Sequence, residues 1–163
     1  MNIRRLVTIA LLAAITLPVS IAGRTEAATA PCAVTSPASL TKLTGVAYKA
    51  GMAAKSGCTW NASSNPSASV GYNVVSKAAA TASMSQKSSS SMKVTDLKID
   101  GHKAKIRSHI GAPILVTVTA DLGDKGIQLI LIGGRDGVKG DPAADATAIL
   151  NSIISKVAGI APS

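Results

Sequence analysis

Hydrophobic and polar residues alternate over several short stretches of this chain. Val70, Tyr72 and Val74 fall on one side of a predicted strand over 68–76. Because the side chains of a strand point alternately to its two faces, this pattern is typical of a strand with one buried face. The segment 57–62 precedes it across a stretch of turn-forming residues, so the two segments predict an antiparallel hairpin.

The second half of the chain has the most regular pattern. Four further strands are predicted over 94–99, 103–107, 114–120 and 127–132. Charged and apolar residues alternate in 103–107, whereas 127–132 is almost continuously apolar. A continuous apolar run indicates a central strand that is covered on both faces.

Helical spacing appears near both ends of the predicted domain. Ser36 and Pro37 are typical of a helix start, and the same holds for Asp141-Pro142. After Pro142 an apolar stripe repeats at helical spacing, which predicts an amphipathic helix over Ala146, Ile149, Leu150, Ile153, Ile154 and Val157. We expect Gly159 to cap this helix at its C-terminal end.

The middle of the chain is less regular. Residues 77–92 predict a weak helix from Lys77 that fades into a flexible, serine-rich loop over 83–91. Together the elements predict an α+β domain over 31–160. Its mainly antiparallel sheet has five or six strands, packed by an N-terminal short helix and a C-terminal amphipathic helix.

The first thirty residues read as a secretory signal peptide. Arg4 and Arg5 precede an apolar stretch over 6–22, and small residues follow, with cleavage expected after Ala22, Ala27 or Ala30. An uncleaved membrane anchor is the alternative. A lipid-attachment cysteine does not directly follow the apolar stretch, so Cys32 is read as a structural residue.

Two cysteines, Cys32 and Cys58, are the only thiols in the chain. An exported protein meets an oxidising compartment, where such a pair most simply forms a disulfide. A metal site or a catalytic thiol is the alternative, but two Cys and two His without close spacing do not make a zinc motif.

The chain is basic and poor in aromatic residues. Its 163 residues carry 17 Lys and Arg against 8 Asp and Glu, with one Trp, two Tyr and no Phe. So few aromatics argue against nucleic-acid binding by base stacking. Without residues 1–30 the net charge is +7, of which +6 lies in 31–99. This charge favours either an anionic partner or simply a soluble surface on which the lysines are scattered.

Residues for catalysis, cofactors or metals are scarce. His102 and His109 are the candidates for acid–base chemistry near neutral pH. They are an odd number of positions apart, which predicts opposite faces of a strand, and we expect both to be solvent-exposed. Asp136, Asp141 and Asp145 carry oxygen ligands but lack the spacing of an EF-hand. We therefore predict that the protein is not an enzyme and that it has no catalytic, cofactor-binding or metal-binding residues.

The layout resembles the DUF3558 group of secreted and lipoprotein domains from actinobacteria. The matching segments are Pro31-Cys32 before the Ser36-Pro37-Ala38-Ser39-Leu40 helix, Gly57-Cys58-Thr59-Trp60, Gly101-His102-Lys103-Ala104 and the Asp141-Pro142 helix. The chain departs from that group in lacking the lipid-attachment cysteine. The resemblance implies a disulfide-stapled, exported or envelope-associated binding domain, and it brings no catalytic residues.

The sequence thus predicts a secreted or envelope-associated, non-enzymatic domain that binds an envelope component or a partner protein. The expected partner is an unknown protein or an anionic envelope polymer, not nucleic acid. Membrane contact is expected only through an uncleaved signal segment. The alternatives are a small carrier of a lipid or another hydrophobic ligand, motivated by much apolar β sequence with few aromatics, and an unrecognised hydrolase that uses one of the histidines.

Overall fold

Alternating apolar residues build one antiparallel sheet from the part of the chain that the computed structural model describes, residues 30–111, 113–133 and 140–163. The strands are β1 Met52–Ala53, β2 Gly57–Asn61, β3 Ser69–Ser76, β4 Met92–Ile99, β5 His102–His109, β6 Ile114–Asp121 and β7 Lys125–Gly133. The helices are α1 Pro37–Thr44, α2 Lys77–Met84 and α3 Pro142–Ile153, with short 3₁₀ turns at Pro31–Val34 and Ile154–Lys156. Side by side, the strands run β1-β2-β3-β7-β6-β5-β4.

The α+β class and the antiparallel sheet are confirmed, whereas the strand count of five or six is too low. The predicted hairpin is present as β2 and β3, with Trp60 opposite Val70. The strand that the sequence pattern missed is β1, where Ala53 pairs with Cys58. A strand of two residues is too short to show a periodicity in the sequence, so β1 is recognised only from its pairing with β2.

One face of the sheet carries the hydrophobic core and is covered by α1 and α3. Trp60 and Tyr72 lie there with ring centroids 6.2 Å apart. The Tyr72 hydroxyl donates a hydrogen bond of 2.6 Å to the carbonyl of Pro31. From α3, Ile149 and Ile153 are fully buried against this face. The predicted apolar stripe of the C-terminal helix therefore packs on the sheet as expected.

The ends of the helices follow their capping chemistry with one exception. The Ser36 hydroxyl accepts the N–H of Ser39, and the Asp141 carboxylate accepts that of Ala143. The expected cap at Gly159 is wrong, because α3 ends at Ile153, tightens into the Ile154–Lys156 turn, and Gly159 has no left-handed backbone. There the ammonium group of Lys125 donates to the carbonyls of Ala158 and Ile160, which ties the C-terminal segment to the sheet.

Helix α2 lies on the opposite face of the sheet, at the end where β7 begins. A Cβ atom on residue 126 would collide with the Cβ of Ala80, so Gly126 lets the helix approach the sheet closely. Farther along α2, the Ser83 and Thr119 hydroxyls are 2.8 Å apart in a buried hydrogen bond. The predicted helix from Lys77 is thus present, and small and polar side chains hold it on the sheet.

The serine-rich loop that follows α2 runs beside the edge strand β4. The Ser88 hydroxyl bonds both the N–H and the carbonyl of Val94. The backbones of Ser89 and Met92 also pair with each other. Unpaired edge strands invite pairing with other chains, and these contacts cover the first part of β4.

A disulfide joins Cys32 to Cys58 and ties the N-terminal turn to β2. Such a bond indicates folding in an oxidising compartment. Within the described part of the chain, no helix has the length and apolar character that a membrane span needs. The predicted signal peptide lies outside the described residues, apart from its last residue, Ala30.

Candidate functional site

The pairing register assigns every strand residue to one of two faces. On β7, Ile127, Leu129 and Leu131 point to the face packed by α1 and α3, which we call the core face. Gln128 and Ile130 point to the other face, which we call the open face because α2 covers only one end of it. The end that α2 leaves free, where β5 and β7 end and β6 begins, is called the lower end.

A row of basic side chains runs along β5 on the open face. Lys103, Lys105, Arg107 and His109 occupy alternate positions of one unbroken strand, so all four lie on the same face. At about 3.4 Å per residue the row spans roughly 20 Å. We call these four residues the basic strip. The alternation of charged and apolar residues that the sequence shows over 103–107 therefore becomes a charged surface.

One carboxylate lies beside the basic strip. Asp96 of β4 forms an ion pair of 3.2 Å with Lys105. The Arg107 guanidinium instead donates to the neutral side chain of Gln86. Its Nε is buried without a hydrogen-bond partner among the described residues. Partial burial lowers the pKa of Arg107, but an arginine remains charged at neutral pH.

A groove of about 410 Å³ lies at the upper end of the strip, next to α2. Its lining combines Met84 of α2 with Lys98, Lys103 and the carboxylate of Asp96, from the hairpin formed by β4 and β5. Two ammonium groups against one carboxylate leave the groove basic, and its apolar wall suits a ligand that has both a negative charge and an apolar part.

An apolar patch lies next to the strip on the open face. Leu115 of β6 pairs with Ile132 of β7, and Ile130 is two positions away on the same face. Ile132 is 36% exposed, and Ile110, in the loop that follows β5, is 64% exposed. We call Leu115, Ile130 and Ile132 the apolar patch. The expectation that 127–132 is covered on both faces is wrong at this end, because α2 stops short of it.

A second groove lies on the core-face side, between α3 and the hairpin of β4 and β5. It has a volume of about 540 Å³ and is open to solvent. Ile99, Ile106 and Ala148 contribute apolar walls, while Asp100 and Asp141 bring carboxylates to its lining. The arrangement can hold a small ligand at the surface, but it does not enclose one.

The two histidines do not form a common site. They lie at opposite ends of β5 and, as predicted, on opposite faces of it. His109 is exposed as expected, whereas His102 is half-buried, with its Nδ1 3.1 Å from the carbonyl oxygen of Asp121. The expectation that both would be solvent-exposed is therefore wrong for His102, whose ring lies against the end of β6.

No group of three or more potential metal ligands occurs among the described residues. Asp136, one of the carboxylates considered from the sequence, lies outside them. Asp145 is partly buried, and this burial, with the nearby charge of Asp141, raises the pKa of its carboxyl group. Trp60 is 1% exposed and belongs to the core.

Sequence reasoning missed the apolar patch. Its isoleucines belong to a strand whose apolar run predicts burial, and nothing in the run itself says where a covering helix ends. The signal that could have found the patch is the brevity of α2, since eight residues span only about 12 Å.

No protein-family model, curated protein or solved structure matches this chain.

Proposed function

We propose that this chain is an exported, non-enzymatic domain that binds an anionic component of the cell envelope through the basic strip. The observation that supports the proposal is the placement of Lys103, Lys105, Arg107 and His109 on one face of one strand. Scattered lysines would serve solubility alone, whereas cations in a row match a repeated or extended anion.

The charge of the strip is largely unpaired, and it is exposed at the two ends of the strip. Only Lys105 has a carboxylate partner among the described residues, Asp96, and the Lys105 side chain is 14% exposed while that of Asp96 is 83% exposed. Arg107 is half-buried, whereas Lys103 and His109 are exposed. An anionic ligand can therefore meet Lys103 or His109 at the surface without displacing a carboxylate.

The location outside the cytoplasm rests on two features. The disulfide between Cys32 and Cys58 suits an oxidising compartment. The predicted signal peptide over 1–30 supplies the route of export. The resemblance to the DUF3558 group of actinobacterial domains is consistent with the same location.

The test is co-sedimentation of the purified protein with the insoluble envelope fraction of an actinobacterium, at low and at high salt. The double variant Lys103→Gln/Arg107→Gln should lose most of the binding, and salt should weaken binding by the wild type. The variant Lys42→Gln/Lys49→Gln is the matched control, because it removes equal charge from exposed positions elsewhere. Equal loss in both variants would refute the role of the strip.

A second candidate function is that of a carrier for a small, partly apolar ligand. It is supported by the groove of about 540 Å³ beside α3, a volume in the usual range of small-molecule sites. Ala144→Trp, at an exposed position that lines the groove, should abolish co-purification of a ligand detected by native mass spectrometry. The same variant should leave envelope binding unchanged.

A further inference from the structure

Resting on the proposed function, we infer that the partner of the open face is the surface of an anionic phospholipid bilayer, which the domain meets with its lower end. Arg107 and His109, the strip residues at the lower end, would contact the phosphates, while the apolar patch and Ile110 would enter the boundary between headgroups and acyl chains. This contact is separate from any membrane attachment through an uncleaved signal segment.

The apolar patch favours an amphiphilic partner over a purely hydrophilic polymer. Leu115 and Ile132 face each other across neighbouring strands, and Arg107 is the strip residue opposite Thr117 on the next strand. Cationic side chains on β5 and apolar side chains on β6 and β7 thus lie side by side on one surface. A hydrophilic polyanion would leave the apolar members in water, whereas a lipid surface offers acyl chains and phosphates together.

The shape of the open face determines which end of the domain can contact a bilayer. Helix α2 stands on the upper end of the sheet, so a flat surface cannot contact the whole open face at once. It can contact the lower end, where Ile110 follows the last residue of the strip and is 64% exposed. The depression beside Ile130 and Ile132 holds only about 130 Å³, which is too small for an isolated lipid-sized ligand.

Charge argues against a second copy of this chain as the occupant. In a face-to-face dimer the basic strip of one copy would need carboxylates on the other. Near the lower end, the open-face residues of β2 and β3 are the uncharged Thr59, Asn61, Ser69 and Gly71. Among the described residues, a second copy could offer only Asp96 and Asp121 from the open face of its strands, and Asp121 lies at the upper end, whereas an anionic bilayer supplies many phosphates.

The test is co-sedimentation with vesicles of pure phosphatidylcholine and of phosphatidylcholine mixed with phosphatidylglycerol. All variants carry the same N-terminus, established by mass spectrometry of the exported protein. We expect binding only to the phosphatidylglycerol vesicles. Arg107→Gln should weaken it about fivefold, since a basic residue near such a surface contributes roughly 1 kcal/mol. Ile110→Ala should weaken it several-fold, because methylene groups that enter the boundary are lost.

The matched control is Met52→Ala, which removes an apolar side chain that is 58% exposed at the opposite edge of the sheet. It should bind like the wild type. Equal binding to both kinds of vesicle, or no effect of Ile110→Ala, would overturn the inference. A dimer that is detected by light scattering and dissociated by Ile132→Lys would also overturn the inference.

Envelope material from which lipids have been extracted separates this inference from the proposed function. If the extracted material binds the wild type as well as intact material does, and Lys103→Gln/Arg107→Gln abolishes that binding, the ligand is a polymer and only the lipid inference fails. If neither the intact fraction nor the vesicles bind, both proposals fail.

Discussion

The two faces of the sheet carry the same types of apolar residue but bury them to different extents. On the core face, Ile127 of β7 is fully buried beneath the helices, whereas Ile132 of the same strand is 36% exposed on the open face. The core face is closed by a disulfide, by α1 and by α3. The open face has one eight-residue helix held by small and hydroxyl side chains. The difference teaches that apolar character in a strand does not by itself report burial.

The largest expected effect compares two isoleucines of β7. Ile127→Ala should lower the free energy of unfolding by about 4 kcal/mol, because it opens a cavity in a fully packed core. Ile132→Ala should cost about 1 kcal/mol or less, since its side chain already meets water. Both substitutions replace isoleucine with alanine in the same strand, so they change strand propensity equally. The difference between their free energies of unfolding, measured in urea, therefore reports the difference in burial. Similar losses would mean that the open face is as well packed as the core face.

An intermediate effect is expected where α2 contacts the open face. Ala80→Leu should destabilise the protein by about 2 kcal/mol, because the larger side chain cannot fit against Gly126. Ala78→Leu, at an exposed position of the same helix, is the control and should change stability by less than about 0.5 kcal/mol. Thermal unfolding followed by circular dichroism measures both. If the two variants behave alike, α2 is not closely packed on the sheet.

The smallest effect concerns the core face and depends on pH. Burial raises the pKa of Tyr72 to about 12, while an unfolded tyrosine titrates near about 10. The folded state holds the proton more tightly, so this stabilisation is complete below pH of about 10 and disappears as the pH rises through about 12. At neutral pH, Tyr72→Phe should cost about 1 kcal/mol, through the lost hydrogen bond to Pro31.

The measurement is urea unfolding of the wild type and Tyr72→Phe over a series of alkaline pH values. The gap between their unfolding free energies should narrow as the pH increases. Burial also raises the pKa of Tyr48, but this residue is present in both proteins and cancels in the comparison. A gap that stays constant through this range would show that Tyr72 is not buried in solution as it is in the structure.

Local patterns predicted most of the elements because their causes are local. Alternation in β3 and helical spacing in α3 arise from which side of an element faces the core, and both predictions are confirmed. Gly159 failed as a cap because α3 already ends at Ile153, and the segment around Gly159 is held instead by Lys125, a distant residue on β7. His102 was expected to be exposed, but it is half-buried beside the carbonyl oxygen of Asp121, the last residue of β6 and nineteen residues away along the chain.

The candidate site was predicted only in part, for a similar reason. The alternation over 103–107 predicted a strand, and strand geometry places its charges on one face, but a basic binding face was not predicted from it. The apolar patch needs β6, β7 and the end of α2 to be placed relative to one another. No window of the sequence contains that information.

By itself the sequence determined most of the elements, the α+β class, the pairing of the two cysteines and the alternation of charges over 103–107. These follow from periodicity, capping chemistry and the number of thiols. The tertiary structure alone decided that a short edge strand extends the sheet and that α2 covers only one end of the open face. Coverage is a relation between distant segments, so an apolar run becomes core or binding surface only when its neighbours are in place.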